Sequence, residues 1–188
     1  MVQATQINIS EWPTFGIPDL VVQVEKAREE EKYLFMWDKT EQIDTFFKYK
    51  GFLCDFFFQH YKVEHGRITT DEAVEDLRQN FIKAGRQGQH LLVNLNDSAP
   101  DFINVYNNPA IFDTNLAFNR SEWIKPDIHK SVLKQGEDYS MNNMNSGLYF
   151  MMPETTMQIR SSAPNEEALR EVLSKIPHIQ DFKFVIFE

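Results

Sequence analysis

Five strand-length runs constrain what this chain can fold into: "YLFMW" at 33–37, "HLLVNLND" at 90–97, "GLYFMM" at 147–152, "TMQIRSS" at 156–162 and "FKFVIFE" at 182–188. A short, continuous apolar run suits a strand covered on both faces rather than one with a wet side. Stretches with helical spacing lie between most of these runs, and no repeat of fixed period links them. Such alternation predicts one three-layer α/β domain, with a mainly parallel sheet of about five strands and helices on both faces. The turn residues Pro153-Glu154 leave room for an antiparallel pair among the C-terminal strands.

Helix signals are clear in three places. Pro18 suits a first helical turn and introduces a helix over about 18–32, where Leu20, Val21 and Val24 form a short apolar face and "EKAREEEK" a solvated one. Thr69 and Glu72 form a capping box, after which Val74, Leu77, Phe81 and Ala84 repeat at helical spacing until Gly85 and Gly88 stop the helix. Leu169, Val172, Leu173 and Ile176 define a last amphipathic helix, with Pro164 in its first turn. "SEWIKPDIHKSVLKQ" suits a helix entered around Pro126. "IDTFFKYKGFLCDFFFQHY" is harder, because its aromatics cover both sides of a helical wheel and Gly51 interrupts it. It reads as a helix over about 42–64, with a strand near 52–58 as the alternative.

The first 17 residues, "MVQATQINISEWPTFGI", show no sustained period and read as an extended arm, with the domain proper spanning 18–188. Trp12 and Phe15 on such an arm are costly to expose, which makes them candidates for contact with the domain or with a partner protein. Aromatic content of 13%, including 16 Phe, points the same way. The formal charge of −9 argues against a nucleic-acid partner, since that affinity comes from Lys and Arg displacing counterions. No run approaches the length of a membrane span, and the start lacks the basic and apolar segments of a secretory signal, so the expected location is cytoplasmic. Cys54, the one cysteine, sits in "GFLCDFFF" and reads as a small core residue.

"YLFMWDKT" poses the question of chemistry. A strand that runs into Lys-Thr is the setting of a phosphate loop, with Lys39 for phosphate, Thr40 for magnesium and Asp97, after a later strand, for the metal. The loop itself is missing. A phosphate cradle takes about eight residues so that glycine amides can wrap the phosphates. Here only Asp38 separates Trp37 from Lys39, no glycine lies between Gly16 and Gly51, and Asp38 brings negative charge to the place of phosphate. Asp38 and Asp97 have a simpler use as caps of the helices or loops that leave their strands. The metal-like cluster of His60, Glu64 and His65 fails on geometry: a helix puts His65 about 140° away from His60. Serine nucleophile motifs are absent.

The order of elements, with Gly88, Leu91, Leu92 and Asn94 in a glycine-led strand and Ser161-Ser162 closing a later one, resembles an ATPase module of the AAA or dynein type that has lost its phosphate loop. The resemblance covers about two thirds of the chain. It implies a nucleotide-binding fold without its catalysis, and a place in a cytoskeletal or ciliary assembly. The expectation is therefore a non-catalytic subunit, without cofactor or metal, whose partners are other protein subunits. The alternatives are a small nucleotide-binding enzyme, an atypical NTPase or kinase using Asp38, Lys39, Thr40 and Asp97, and a soluble adaptor that binds a peptide.

Overall fold

Leu34–Asp38 has every residue buried, as a run apolar on both faces requires, and its place is the middle of a sheet. The computed structural model describes residues 7–40, 42–139 and 147–188. In chain order the strands are β1 (Thr14–Phe15), β2 (Leu34–Asp38), β3 (Phe52–Cys54), β4 (Leu91–Asn96), β5 (Met157–Ser161) and β6 (Lys183–Phe187). They form a sheet in the order β1-β6-β2-β5-β4-β3, with every pairing parallel. Among the described residues the expected count of about five thus becomes six, and the antiparallel C-terminal pair is replaced by parallel pairing. Of that pair only "TMQIRSS" enters the sheet. Residues 148–152 run without regular structure, and Met152 N–H donates to the Gly85 carbonyl (2.9 Å).

The helices divide between the two faces. α1 (Leu20–Glu29) and α2 (Ile43–Lys50) cover one, with Leu20, Val24, Ala27, Ile43 and Phe47 packed on Leu34, Met36, Leu92, Val185 and Phe187. The larger core lies opposite. There α3 (Phe56–Glu64), α4 (Thr70–Gln87) and α8 (Glu166–Ser174) pack with an aromatic group that includes Phe81, Phe102, Phe112, Phe118 and Trp123. Three short helices, α5 (Thr114–Ala117), α6 (Arg120–Trp123) and α7 (Pro126–Ser131), carry the chain across this side. The helix expected to be entered around Pro126 is α7, which starts at that proline and ends at Ser131.

The segment read as one helix over 42–64 is a helix, a strand and a helix, so the alternative strand near 52–58 is present as Phe52–Cys54. Gly51 makes that possible: a Cβ there would lie 2.8 Å from the His90 carbonyl oxygen, too close for any other residue without backbone movement. The capping box at Thr69 forms as expected, with Glu72 N–H donating to Thr69 Oγ1 at 3.2 Å and Thr69 N–H to Glu72 Oε2 at 2.7 Å. Gly85, however, lies inside α4 rather than ending it, and only Gly88, left-handed at φ 66°, makes the stop.

Of the arm expected over 1–17, residues 1–6 lie outside the described residues, and 7–17 lie against the domain. Trp12 is 8% exposed, stacked on Phe184 at 4.6 Å and set edge-on to Phe35 at 5.9 Å. β1 pairs with β6, and Arg170 donates to the Ile7 carbonyl (3.2 Å). The cost of exposing that indole is met by the domain itself, and Trp12 is not a free docking group. Phe15 is half-buried beside Phe187. Trp12→Ala is expected to destabilise the fold by about 3–5 kcal/mol, the usual range for removing a buried aromatic side chain. Urea denaturation measures this, and a loss well below about 1 kcal/mol would show that the ring adds little to the core.

Candidate functional site

Chain connectivity picks out one place on the sheet. From β2 the chain crosses by α2 to β3 at the far edge, whereas from β5 it crosses by α8 over the opposite face to β6. The connections leaving neighbouring strands β2 and β5 therefore diverge, and the carboxyl ends of those strands form a topological switch point, where open α/β sheets hold ligands.

A buried ion pair fills that point. Register sets Arg160 of β5 opposite Met36 on one side and Asn94 on the other, on the face covered by α1 and α2. Arg160 is 2% exposed and Asp38 is fully buried, and Arg160 Nε donates to Asp38 Oδ2 at 2.8 Å. Arg160 Nη1 donates to Asn94 Oδ1 (2.9 Å) and Asn96 Oδ1 (2.6 Å). Asn96 reaches this position because the β4–β5 register shifts between Asn94 and Asn96, with Asn96 in the left-handed region at φ 51°. Asparagine tolerates that conformation better than most residues. The bend is held by Ser162 N–H donating to the Asn96 carbonyl at 2.7 Å.

The residues expected to serve a nucleotide are only partly brought together. Asp38 Oδ1 accepts from Thr40 N–H (2.8 Å) and Thr40 Oγ1 (2.6 Å), so Asp38 and Thr40 form a closed turn. Lys39 turns toward β6: its Nζ lies 3.0 Å from Glu188 Oε2 and 4.7 Å from the centre of the Trp37 ring. Asp97 stands on the carboxyl edge of β4, exposed, in an open cleft of about 550 Å³. That cleft is lined by Asp44, Phe57, Asn96, Asp97, Arg160, Ser162 and Pro164. Arg160 joins the two carboxylates singled out in the sequence, pairing with Asp38 and facing the cleft that holds Asp97. The signal for it was a lone arginine inside an apolar strand, where a buried cation requires a partner.

Other candidates resolve into structure. His60 Nδ1 lies 2.7 Å from Tyr106 Oη and His60 Nε2 lies 3.5 Å from Glu64, while His65 bonds the Tyr61 carbonyl. Burial lowers the His60 pKa below its ordinary value. Among the described residues no group of three or more His, Cys, Asp or Glu is placed to hold a metal ion. Cys54 is buried, and desolvation raises its thiol pKa well above the usual value, which disfavours the nucleophilic thiolate. No helix among the described residues is long and apolar enough to cross a membrane. Comparison with protein-family models, with curated proteins and with solved structures finds no match in any of the three.

Removing one member of a buried pair strands the other, a loss of about 3–5 kcal/mol. Asp38→Ala and Arg160→Ala are each expected to show it in urea denaturation. The double variant should lose clearly less than the sum, because the second change removes the stranded charge. Additive losses would show that the two residues act independently.

Proposed function

We propose that this chain is a non-catalytic α/β subunit of a larger protein assembly, a nucleotide-type fold kept for its shape. One observation supports the reading: the carboxylate of Asp38, the last residue of β2, after which a phosphate loop would begin, is buried and held by Arg160 and Thr40. An anion would meet a carboxylate there instead of a ring of glycine amides. Lys39, the residue that would reach a phosphate, is directed to Glu188. The position of β2 at the switch point supports descent from a nucleotide-binding fold, and the resemblance to dynein-type modules directs the search for the assembly to cytoskeletal and ciliary complexes first.

Titration with a fluorescent ATP analogue, with and without magnesium, is expected to give no saturable signal at micromolar concentrations. Saturable binding that Lys39→Ala abolishes would overturn the non-catalytic reading in favour of a nucleotide enzyme. In native extract the chain should elute from a sizing column well ahead of a free monomer, and elution as a monomer would remove the case for a subunit.

A further inference from the structure

We infer that the outward face of α3 docks an acidic segment of a partner protein, one that sets apolar side chains between Asp and Glu residues. The inference rests on the reading of the chain as an interaction subunit and names the surface and the chemistry of the contact. A stripe at i, i+3, i+4 and i+7 ordinarily turns to the core. The core side of α3, however, is held by Phe56, His60 and Val63, of which Phe56 is fully buried and His60 bonds Tyr106. Phe58, Tyr61, Lys62 and the cap residue His65 make a second stripe, with that spacing, on the solvent side. Phe58 is 47% exposed and Tyr61 37%. Their rings are parallel within 6° with centres 6.5 Å apart, and the His65 ring continues the row at 4.0 Å from Tyr61. Contiguous rings facing solvent mark an interaction surface.

Charge decides what covers these rings. Lys62 Nζ stands 4.4 Å from the centre of the Phe58 ring, and the Arg67 guanidinium 5.8 Å from that of Tyr61. The helix end puts Arg67 there. Gly66, left-handed at φ 63°, lets Arg67 N–H donate to the Lys62 carbonyl at 2.8 Å, which folds the chain back onto the last turn. Among the described residues neither cation is paired with a carboxylate, and Lys62 Nζ reaches only Gln59 Oε1 at 3.5 Å. Glu64, the one carboxylate of α3, stands on the flank beside His60 (3.5 Å). The chain as a whole carries −9, so this strip is positive on a negative molecule. An acidic segment is repelled by the rest of the surface and attracted here, which fixes where it docks. Its carboxylates meet Lys62 and Arg67, and its apolar side chains cover the rings that those cations flank. Two cations on a chain of this charge are too few for a phosphate backbone, which favours a protein over a nucleic acid.

The test uses the full chain, isotope-labelled, and three probes followed by amide NMR shifts: acetyl-Glu-Glu-Leu-Phe-Glu-Glu-amide, the same peptide with Gln for every Glu, and a short single-stranded oligothymidylate. The acidic peptide is expected to shift the amides of Phe58, Tyr61, Lys62 and Arg67 saturably. The Gln peptide should bind about tenfold more weakly, since it loses two exposed ion pairs at about threefold each. Lys62→Gln and Arg67→Gln should each weaken the acidic peptide by about threefold, and Phe58→Ala by about fivefold, with the rest of the spectrum unchanged. None of these three side chains is buried, so the fold does not depend on them. No shift with the acidic peptide, shifts located elsewhere, equal binding of the Glu and Gln peptides, or unchanged affinity in all three variants overturns the proposal. Tighter binding of oligothymidylate at the same amides overturns it in favour of nucleic acid, and shifts of those amides on concentrating the chain alone overturn it in favour of a second copy. Elution as a monomer from native extract counts against the subunit reading, whereas failure of the acidic peptide in a chain that elutes ahead of a monomer removes only the role of α3.

Discussion

The central interaction of this fold is the contact between Asp38 and Arg160. It ties β2 to β5, and through Asn94 and Asn96 it ties both to β4, so three neighbouring strands share one buried guanidinium. Desolvating two charges costs several kcal/mol for each ion, and the attraction between them offsets this only if the remaining donors and acceptors are met. Here Thr40 meets Asp38, and the bend at Asn96 brings a second amide oxygen to Arg160. The left-handed Asn96 and the turn at Asp38–Thr40 are thus local consequences of putting an arginine on a strand covered on both faces.

The same device recurs on the other side of the sheet. Arg78, fully buried on α4, bonds Glu75 and Glu137 through both ends of its fork and donates to the Val132 carbonyl at 2.7 Å. Arg86, two turns further on, donates to the carbonyls of Glu137 and Tyr139 and lies 4.0 Å from the Tyr139 ring. Together they hold residues 132–139 on α4. The Glu75 carboxyl falls to about 2 chiefly because Arg78 bonds it, and Glu137 is lowered for the same reason. Lowered carboxylates stabilise the fold above their ordinary pKa, and that contribution fades as pH falls through the depressed values. Glu75 and Glu137 both keep substantial exposure, so solvent screening limits its size.

Much of the fold was legible because apolar runs and helical periods are local. The run at 33–37 and the capping box at Thr69 form where the spacing puts them, and so does the last amphipathic helix, except that Asn165 caps it and Pro164 lies before its first turn. The failures share a cause: each depends on a partner far along the chain. Phe52–Cys54 is a strand because β4 offers it an edge, and Gly51 allows the close approach to His90. "GLYFMM" has the composition of a strand, yet Tyr149 and Met151 pack against Gly85 of α4 instead of joining the sheet. For Trp12 the sequence left contact with the domain and contact with a partner both open, and the choice between them needs Phe184, near the other end of the chain. In the site, Asp38 and Asp97 were visible as strand ends, but Arg160 takes its meaning from the parallel register that sets it beside Asn94 and Met36.

An arginine fork is a better determinant of geometry than of stability. Apolar residues of similar volume in place of a buried pair often fold as stably or more so, so stability alone is a weak reason for Asp38 and Arg160 to be charged. What the fork adds is direction: its planar donors fix where the carboxylate and both asparagine oxygens must lie. That direction sets the mouth of the switch-point cleft, since Asn96, Arg160 and Ser162 line it and are bonded in the same network. The turn after β2 is shaped from within, by the Asp38 carboxylate bonded to Arg160 and Thr40, and the cleft beside it takes part of its lining from the same network.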